Sequence, residues 1–405
     1  MKTLDRIKHY PNLGLIFLAY VAFIALGMPD GLLGVAWPSI RGTFSLPLDA
    51  LGSLLIFSIC GYLISSFLSG RLIALLGVGR LLAVSCAMTG IAFLGYTLVP
   101  SWWMMVSLGF LAGLGAGAID AGLNTYVAAH FSEGLMQWLH ASYGIGVTFG
   151  ALLMTVVINT YHKWQIGYFT VGSFQLLLAM SFSLTLPMWN GGKYTADSEK
   201  PKRLMDYRTP LGETLSQPRV WLSLLLFFLY TGSEVTLGTW AYTLLTESRG
   251  VQPETAGLLV GSYWAMFTVG RVIAGLYAKR IGVKKLVISG LVVALIGACL
   301  LWWNPASVTN LVAVAVIGFA IAPIFPGLVS GTSQRVGPRF AANTIGMQMS
   351  AAALGAALVP SLVGILAEHS SLEVIPICLT ILFAVLIGFY RLSEHNPPLQ
   401  VDFVK

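Results

Sequence analysis

Twelve long apolar segments, separated by short polar connections, constrain this chain more than any other feature of its sequence. The first six fall at about residues 14–40, 49–73, 81–99, 102–128, 137–159 and 166–187, and the second six at about 219–246, 254–279, 284–303, 308–333, 341–366 and 372–391. A helix needs about 20 apolar residues to cross the hydrocarbon core of a bilayer. Because lipid offers no hydrogen-bond partner, each crossing segment must satisfy its own backbone groups as a helix. The sequence therefore predicts an all-α membrane protein with about 12 transmembrane helices.

The composition excludes a soluble protein. Charged residues make up 10% of the chain and hydrophobic residues 56%, whereas soluble domains are roughly 25% charged. The formal net charge of +7 forms no basic patch, because Lys and Arg lie between the apolar segments, so no nucleic-acid partner is expected. No spacing of Cys, His or acidic residues resembles a metal site or a nucleophile with its base. We therefore expect no enzyme, no metal and no cofactor.

The positive charges predict the orientation. With the N-terminus inside, only Arg41, Lys163 and Arg249 fall on the outer side, which leaves 20 of the 23 Lys and Arg residues on the cytoplasmic side. This bias is the one that orients membrane proteins, and it predicts that both termini are cytoplasmic. Residues 1–11 lack a small-residue cleavage site after a short apolar run and are interpreted as a retained tail. The bacterial inner membrane is the expected location.

The chain contains an internal repeat. A polar stretch at 188–217 divides it into predicted bundles at 1–187 and 218–405, joined by a cytoplasmic linker. A shift of 205 residues aligns the two parts and pairs Asp49 with Glu254, Gly52 with Gly257, Gly70 with Gly275, Gly77 with Gly282 and Arg80 with Lys285. Parallel repeats of this kind build transporters whose halves rock about a central site. We therefore expect two pseudo-symmetric six-helix halves.

Three acidic residues lie inside apolar segments: Asp30 in the first, Asp120 in the fourth and Glu234 in the seventh. An ionisable group at the centre of a bilayer costs about 2.5–3.5 kcal/mol, so each is a candidate for function. A carboxyl group in a low-dielectric cavity can bind and release a proton near neutral pH. Asp30 and Asp120 are predicted to couple protons. The alternative for Asp30 is a carboxylate that accepts backbone N–H groups where Pro29 breaks the helix.

Several polar side chains at membrane depth are candidates for binding a substrate. Glu234 lies near Trp240, and this combination offers oxygen acceptors for sugar hydroxyls and an apolar face for its C–H groups. The other candidates are Asn124, His140, Asn343 and Gln348. The alternative for each is a hydrogen bond between helices. Arg271, in the eighth segment, is a candidate gate residue, and the alternative is a side chain that extends to the cytoplasmic surface.

The segment Gly70-Arg-Leu-Ile-Ala-Leu-Leu-Gly-Val-Gly-Arg80 resembles the loop signature of the major facilitator superfamily. The resemblance implies a latch on the cytoplasmic side. The candidate gate residues are Arg71 and Arg80 in this segment, Asp49 before the second span and Arg271 in the eighth. The acidic residue expected four places after the first glycine is Ala74 here, so a latch based on charge is in doubt in the first half.

Four further segments resemble the fucose–galactose–glucose:proton symporters of that superfamily. They are Gly31-Leu-Leu-Gly-Val-Ala-Trp-Pro38, Leu139-His-Ala-Ser-Tyr-Gly-Ile-Gly146, Tyr230-Thr-Gly-Ser-Glu-Val-Thr-Leu-Gly-Thr-Trp240 and Ala322-Pro-Ile-Phe-Pro326. In that family, acids in spans one and four serve proton coupling and sugar recognition, and they map onto Asp30 and Asp120, with Asn124 one turn later. This chain has Thr125 where members often have proline, and Asp120 where they often have Glu, so the identity of the sugar stays open.

These observations predict a proton-coupled symporter of a monosaccharide, preferably a hexose, that works by alternating access as a monomer in the bilayer. A proton-driven exporter of amphipathic compounds is the first alternative, although three acids within the membrane favour a polar substrate. A facilitative carrier without proton coupling is the second alternative. A sensor that binds sugar without moving it would need a signalling domain, and a linker of about 30 residues is too short to form one.

Overall fold

The computed structural model describes residues 13–47, 50–189, 207–304 and 307–395. The first half consists of six long helices: α1 (Leu13–Phe44), α2 (Leu51–Leu76), α3 (Val78–Tyr96), α4 (Trp102–His130), α5 (Glu133–Tyr161) and α6 (Trp164–Leu184). The short helices α7 (Leu186–Trp189) and α8 (Leu211–Leu215) follow. Residues 190–206, the centre of the predicted linker, lie outside the described residues, so its limits stay a prediction.

The second half begins with α9 (Pro218–Thr243), which a π-helical turn at Leu244–Ser248 extends. It continues with α10 (Pro253–Ile281), α11 (Val283–Trp303), α12 (Ser307–Ile321), α13 (Ile324–Ser330), α14 (Thr332–Val336), α15 (Pro338–His369) and α16 (Val374–His395). Within the described residues, 12 spans are long and apolar enough to cross a membrane, with α12 and α13 together forming the tenth. The prediction of an all-α protein with 12 transmembrane helices in two halves is confirmed.

Successive spans run in opposite directions, so the bundle has two faces. We name the face that carries Leu13 and His395 the terminal face, because the described chain begins and ends there. The opposite face, which carries the α1–α2 and α9–α10 connections, is the distal face. Gly77 (φ 76°) and Gly282 (φ 80°) each end one helix and start the next at the terminal face. These positive φ angles favour glycine, and the two turns are related by the repeat of 205 residues.

The tenth span is broken where α12 ends at Ile321 and α13 begins at Ile324. Pro323 removes a backbone donor at the break, and the buried carbonyl groups of Ile321 and Pro323 each accept a side-chain hydrogen bond. The Tyr230 hydroxyl donates to the Ile321 carbonyl at 2.9 Å. The Gln137 amide of α5 donates to the Pro323 carbonyl at 2.9 Å. Since a lost backbone bond in lipid is costly, these two side chains stabilise the break, and Gln137 does so from the other half.

Arg249, one of the three basic residues predicted on the outer side, has a side chain only 4% exposed. Its guanidinium donates to both carboxylate oxygens of Glu373, at 3.0 and 2.7 Å. It also donates to the Asn310 amide oxygen at 2.5 Å and to the Leu301 carbonyl at 2.8 Å. Hydrogen bonds from Arg249 hold the pKa of Glu373 below its usual value. This group, which we name the distal clasp, joins the α9–α10 and α15–α16 connections to the facing ends of α11 and α12.

Candidate functional site

The two halves are joined near the terminal face. The Ser66 and Ser350 hydroxyl oxygens lie 2.7 Å apart, and Ser350 also donates to the Leu63 carbonyl at 3.1 Å. Arg271 donates to the His140 carbonyl at 3.2 Å. Each of these residues lies in the half of its helix nearest the terminal face, except Leu63, which lies at the middle of α2. The space between the halves is therefore closed on the terminal side.

The two closest crossings between the halves are related by the internal repeat. A Cβ atom on Gly70 of α2 would lie 2.1 Å from Asn343 Oδ1 and 2.6 Å from Asn343 Cα. A Cβ atom on Gly275 of α10 would lie 2.0 Å from Trp138 Nε1 of α5. The shift of 205 residues converts Gly70 into Gly275 and Trp138 into Asn343. Both crossings therefore depend on a helix surface without a side chain.

This closure differs from the charged latch that the family resemblance implies. Arg71 and Arg80 are exposed at the terminal face, and Asp49 lies outside the described residues, so their gate roles stay predictions. Position 74, between the two arginines, carries Ala74. At the described crossings, tight packing and hydrogen bonds hold the halves together.

On the distal side of this closure lies a cluster of two carboxyl groups and two phenols, each from a different helix. The Tyr62 hydroxyl of α2 donates to the Asp120 carboxylate of α4. The Tyr143 hydroxyl of α5 donates to the Asp30 carboxylate of α1. All four groups are close enough to interact electrostatically. We name them the acid–phenol cluster.

Solvent reaches the acid–phenol cluster. Asp30 has an exposed side chain, and Asp120, Tyr62 and Tyr143 are half-buried, although the helices that carry them pack closely against one another. We infer that the cluster lines a cavity. Asp30 lies 14 residues before the end of α1 and Asp120 18 residues after the start of α4. At about 1.5 Å per residue, they lie about 21 and 27 Å from the distal ends of their helices. Because the terminal side is closed, the cavity is reached from the distal side.

Asn124 and His140 extend the cluster into the closure. The Asn124 amide donates to Asp120 Oδ1 at 2.8 Å, and His140 Nε2 lies 3.0 Å from Asn124 Oδ1. The His140 ring packs edge-on against Phe23 of α1 and Phe325 of α13, with ring centroids 5.5 and 5.0 Å away. The structure thus brings both predicted residues together with Asp120.

Glu234 and Arg271 form the charged part of the second half. Arg271 does not extend to the surface: its guanidinium lies 4.1 Å from the Phe267 ring centroid, and its Nε is buried without a hydrogen-bond partner. It is close enough to Glu234 to interact electrostatically. The Glu234 side chain is half-buried, and the Tyr263 hydroxyl donates to its backbone carbonyl at 2.8 Å. Arg271 therefore lies between Glu234 and the backbone of the first half.

Three predicted substrate residues lie apart from this cluster. Gln348 is fully buried, where it donates to the Ser223 hydroxyl at 2.6 Å and accepts from the Thr332 hydroxyl at 3.0 Å. Asn343 lies at the terminal crossing and donates to Thr214 Oγ1 at 2.9 Å. Trp240 donates to the Pro360 carbonyl at 2.9 Å and lines a groove of about 560 Å³ nearer the distal face. In this conformation none of the three joins the other candidates.

The sequence did not single out Tyr62, Tyr143 or Gln137. A tyrosine or glutamine inside an apolar helix is usually a packing residue, and only the position of neighbouring helices shows which carboxylate or carbonyl it meets. Tyr143 does lie inside one of the segments that carry the family resemblance. For Tyr62 no sequence signal was present.

Within the described residues, twelve helices long and apolar enough to cross a membrane form two repeated halves with charged and polar groups near the closure between them, an arrangement that defines a membrane transporter. The profile of the Major Facilitator Superfamily matches residues 19–360 and 222–404. The chain belongs to this superfamily, and the prediction from the Gly70–Arg80 segment is confirmed.

The relatives and solved structures that resemble this chain include named sugar transporters. The chain is 21% identical over 408 residues to the glucose/mannose transporter GlcP of Bacillus subtilis, and the alignment covers 96% of this chain and 98% of that protein. It is 23% identical over 423 residues to bypass of stop codon protein 6 of Saccharomyces cerevisiae, covering 94% of this chain and 84% of that protein. The E. coli fucose:proton symporter FucP in the outward conformation shares the fold, with a TM-score of 0.74 at 15% identity over 94% of this chain and 98% of that chain.

Proposed function

We propose that this protein is a proton-coupled symporter of a monosaccharide, with a hexose as the preferred substrate. One observation carries the proposal: two carboxyl groups, Asp30 and Asp120, share a cavity that is closed at the terminal face. The similarity to GlcP and FucP supports a sugar substrate, and FucP also supports coupling to protons. The half-buried Glu234, close to Arg271 in the second half, adds carboxylate oxygens that can accept hydrogen bonds from sugar hydroxyls.

In this mechanism the protonation of the acids is tied to sugar binding. Asp30, the more exposed of the two, takes up a proton from the side to which the cavity opens. Sugar hydroxyls bind carboxylate, amide and imidazole groups of Asp120, Asn124, His140 and Glu234. The loaded protein then opens at the terminal face, where the proton and the sugar leave. The proton is the coupling ion, and the proposed mechanism needs no cofactor.

The orientation belongs to the same proposal. The excess of Lys and Arg supports a terminal face in the cytoplasm of a bacterium, with both termini there. The described conformation then opens to the outside, as FucP does in the outward conformation. We propose that the halves at 1–187 and 218–405 move as units in a monomer.

The test is uptake of a panel of labelled monosaccharides into proteoliposomes, with and without an imposed inward proton gradient. Accumulation of one hexose above equilibrium, abolished by a protonophore, is the expected result. Uptake that never exceeds equilibrium would replace symport with facilitated diffusion. Transport of amphipathic compounds against their gradient without sugar uptake would replace it with export.

A further inference from the structure

The acid–phenol cluster contains two tyrosines for which neither the sequence nor the family resemblance supplied a role. Each phenol connects an acid on one helix with a second helix that closes the terminal side. Tyr62 lies on α2, which crosses α15 at Gly70, and Tyr143 lies on α5, which crosses α10 at Trp138. The two tyrosines are thus placed between the proton sites and the closure.

We propose that Tyr62 and Tyr143 are positioning residues that make closure of the terminal face depend on the charge of Asp120 and Asp30. The proposal rests on the proposed proton-coupled symport and adds the residues that enforce the coupling. Neither phenol needs to touch the sugar or to carry the transported proton.

The connection from Tyr62 to the closure is one helical turn long. The Ser66 hydroxyl donates to the Tyr62 carbonyl at 2.7 Å and lies 2.7 Å from the Ser350 hydroxyl of α15. Ser350 donates to the carbonyl of Leu63, the residue after Tyr62. A shift of α2 at Tyr62 therefore acts directly on its hydrogen bonds to the second half.

The connection from Tyr143 is equally short. His140 lies one turn earlier on α5. Its backbone carbonyl accepts a hydrogen bond from Arg271, and its ring nitrogen Nε2 is hydrogen-bonded to the Asn124 amide oxygen. On the other side, α1 packs tightly on the Tyr143 backbone, because a Cβ atom on Gly27 would lie 2.3 Å from the Tyr143 carbonyl oxygen. The position of α5 relative to α1 therefore fixes both the Asp30 contact and the Arg271 contact.

The physical basis is the strength of a hydrogen bond to an ionised acceptor. A phenol bound to a carboxylate is held roughly twice as strongly as one bound to a neutral group. While the acids are ionised, both phenols hold α2 and α5 in the closed arrangement, so the empty protein does not open at the terminal face. Proton uptake weakens both contacts and permits opening once sugar is bound. Loss of the proton restores the contacts and favours the return.

Other charged groups face this cluster and act on the same equilibrium. Besides the two acids of the cluster itself, Arg271 on α10 interacts with Tyr143, His140 on α5 bonds to Asn124 beside Asp120, and Glu234 on α9 interacts with Arg271. The variants below remove only a phenol hydroxyl and leave all these groups in place. A change in pH dependence is therefore assigned to the phenol.

The test compares Tyr62→Phe and Tyr143→Phe with Tyr20→Phe as the matched control. Tyr20 is also a phenol in the membrane part of the first half, but its hydroxyl donates to the Leu135 backbone carbonyl at 3.0 Å. In proteoliposomes, proton-driven sugar accumulation and sugar counterflow are measured for each. Both test variants should keep sugar counterflow, while their proton-driven accumulation should fall at least about tenfold relative to counterflow. Tenfold is the factor expected when a hydrogen bond to a charged group is lost. The control should resemble the wild type in both.

A second measurement separates coupling from simple damage. The distance between spin labels at Leu75→Cys and Ile281→Cys, both near the terminal face and exposed, should depend on pH in the wild type. This dependence should be lost in the test variants. Adding Tyr143→Phe to Asp30→Asn should cause no further change, because the phenol then has no ionised partner.

The outcomes distinguish this inference from the proposed function. If the wild type shows no proton-driven accumulation, the proposed function fails. If the wild type accumulates sugar and both test variants do so equally, the tyrosine proposal is wrong. Loss of counterflow together with accumulation would make the tyrosines substrate contacts and would also overturn it.

Discussion

Gly70→Ala should shift the protein away from the conformation in which the terminal face is closed. In the closed state, the added Cβ would lie 2.1 Å from Asn343 Oδ1, 2.6 Å from its Cα and 2.7 Å from its backbone nitrogen. Ordinary carbon contacts are about 3.5 Å or longer. Two of the three atoms belong to the backbone of α15, so a side-chain rotation cannot relieve the clash. The helices α2 and α15 must move apart by about 1 Å.

The size of the effect follows from overpacking. An extra methyl group in a well-packed interior costs about 1–3 kcal/mol, which is about a 5- to 150-fold change in a two-state equilibrium. The cost arises only while the terminal face is closed, since the helices separate there when it opens. The closed state should lose population by that factor.

The assay is the spin-label distance between Leu75→Cys and Ile281→Cys, measured after the four native cysteines are replaced by alanine. Gly52→Ala is the control on the same helix, because a Cβ atom there would meet nothing within 4 Å. The longer distance should gain population in Gly70→Ala and stay unchanged in Gly52→Ala. Equal distributions in the two variants would refute the argument that glycine contact closes the terminal face.

The repeat supplies an independent copy of the same experiment. A Cβ atom on Gly275 would lie 2.0 Å from Trp138 Nε1, and one on Gly261 of the same helix would meet nothing within 4 Å. Gly275→Ala should populate the open terminal face to a smaller extent than Gly70→Ala, because the three nearest atoms all belong to the Trp138 side chain, which can move, and Gly261→Ala should have no effect. An effect at Gly70 without one at Gly275 would show that only one crossing controls closure.

Further predictions concern the acid in the cavity and the distal clasp. Asp30→Asn should abolish uphill accumulation while sugar counterflow survives, and loss of both in proteoliposomes would assign Asp30 to substrate binding or folding. Arg249→Ala should destabilise the protein by about 1–3 kcal/mol in thermal unfolding, because the buried Asn310 loses its hydrogen-bond partner. Arg339→Ala is the control and should show no such loss of stability, because the ion pair of Arg339 with Glu213 is exposed. Arg249 lowers the pKa of Glu373 from its usual value of 4.5, so the ion pair contributes its full stability above pH 4.5. The difference in the free energy of unfolding between wild type and Arg249→Ala should therefore narrow as the pH falls below that value.

Much of the candidate site could be predicted from the sequence because ionisable groups in lipid are costly. Asp30, Asp120 and Arg271 were found on that ground alone, and Asn124 and His140 as polar residues at membrane depth; the structure brings these five into one connected region. The same reasoning selected Gln348, whose amide bonds Ser223 and Thr332 inside the second half. Depth in the membrane is a property of the segment, whereas the direction of a side chain depends on how the helix is rotated against its neighbours.

The sequence by itself determined the twelve helices, the two repeated halves, the family and the acids in the membrane. It could do so because a segment in lipid must satisfy its backbone alone, which leaves a local pattern of apolar residues. Only the tertiary structure decided that Tyr62 meets Asp120, that Tyr143 meets Asp30 and that the halves close at Gly70 and Gly275. These contacts join residues up to 273 positions apart in the case of Gly70 and Asn343. They depend on helix crossings that differ between conformations, and no local pattern records them.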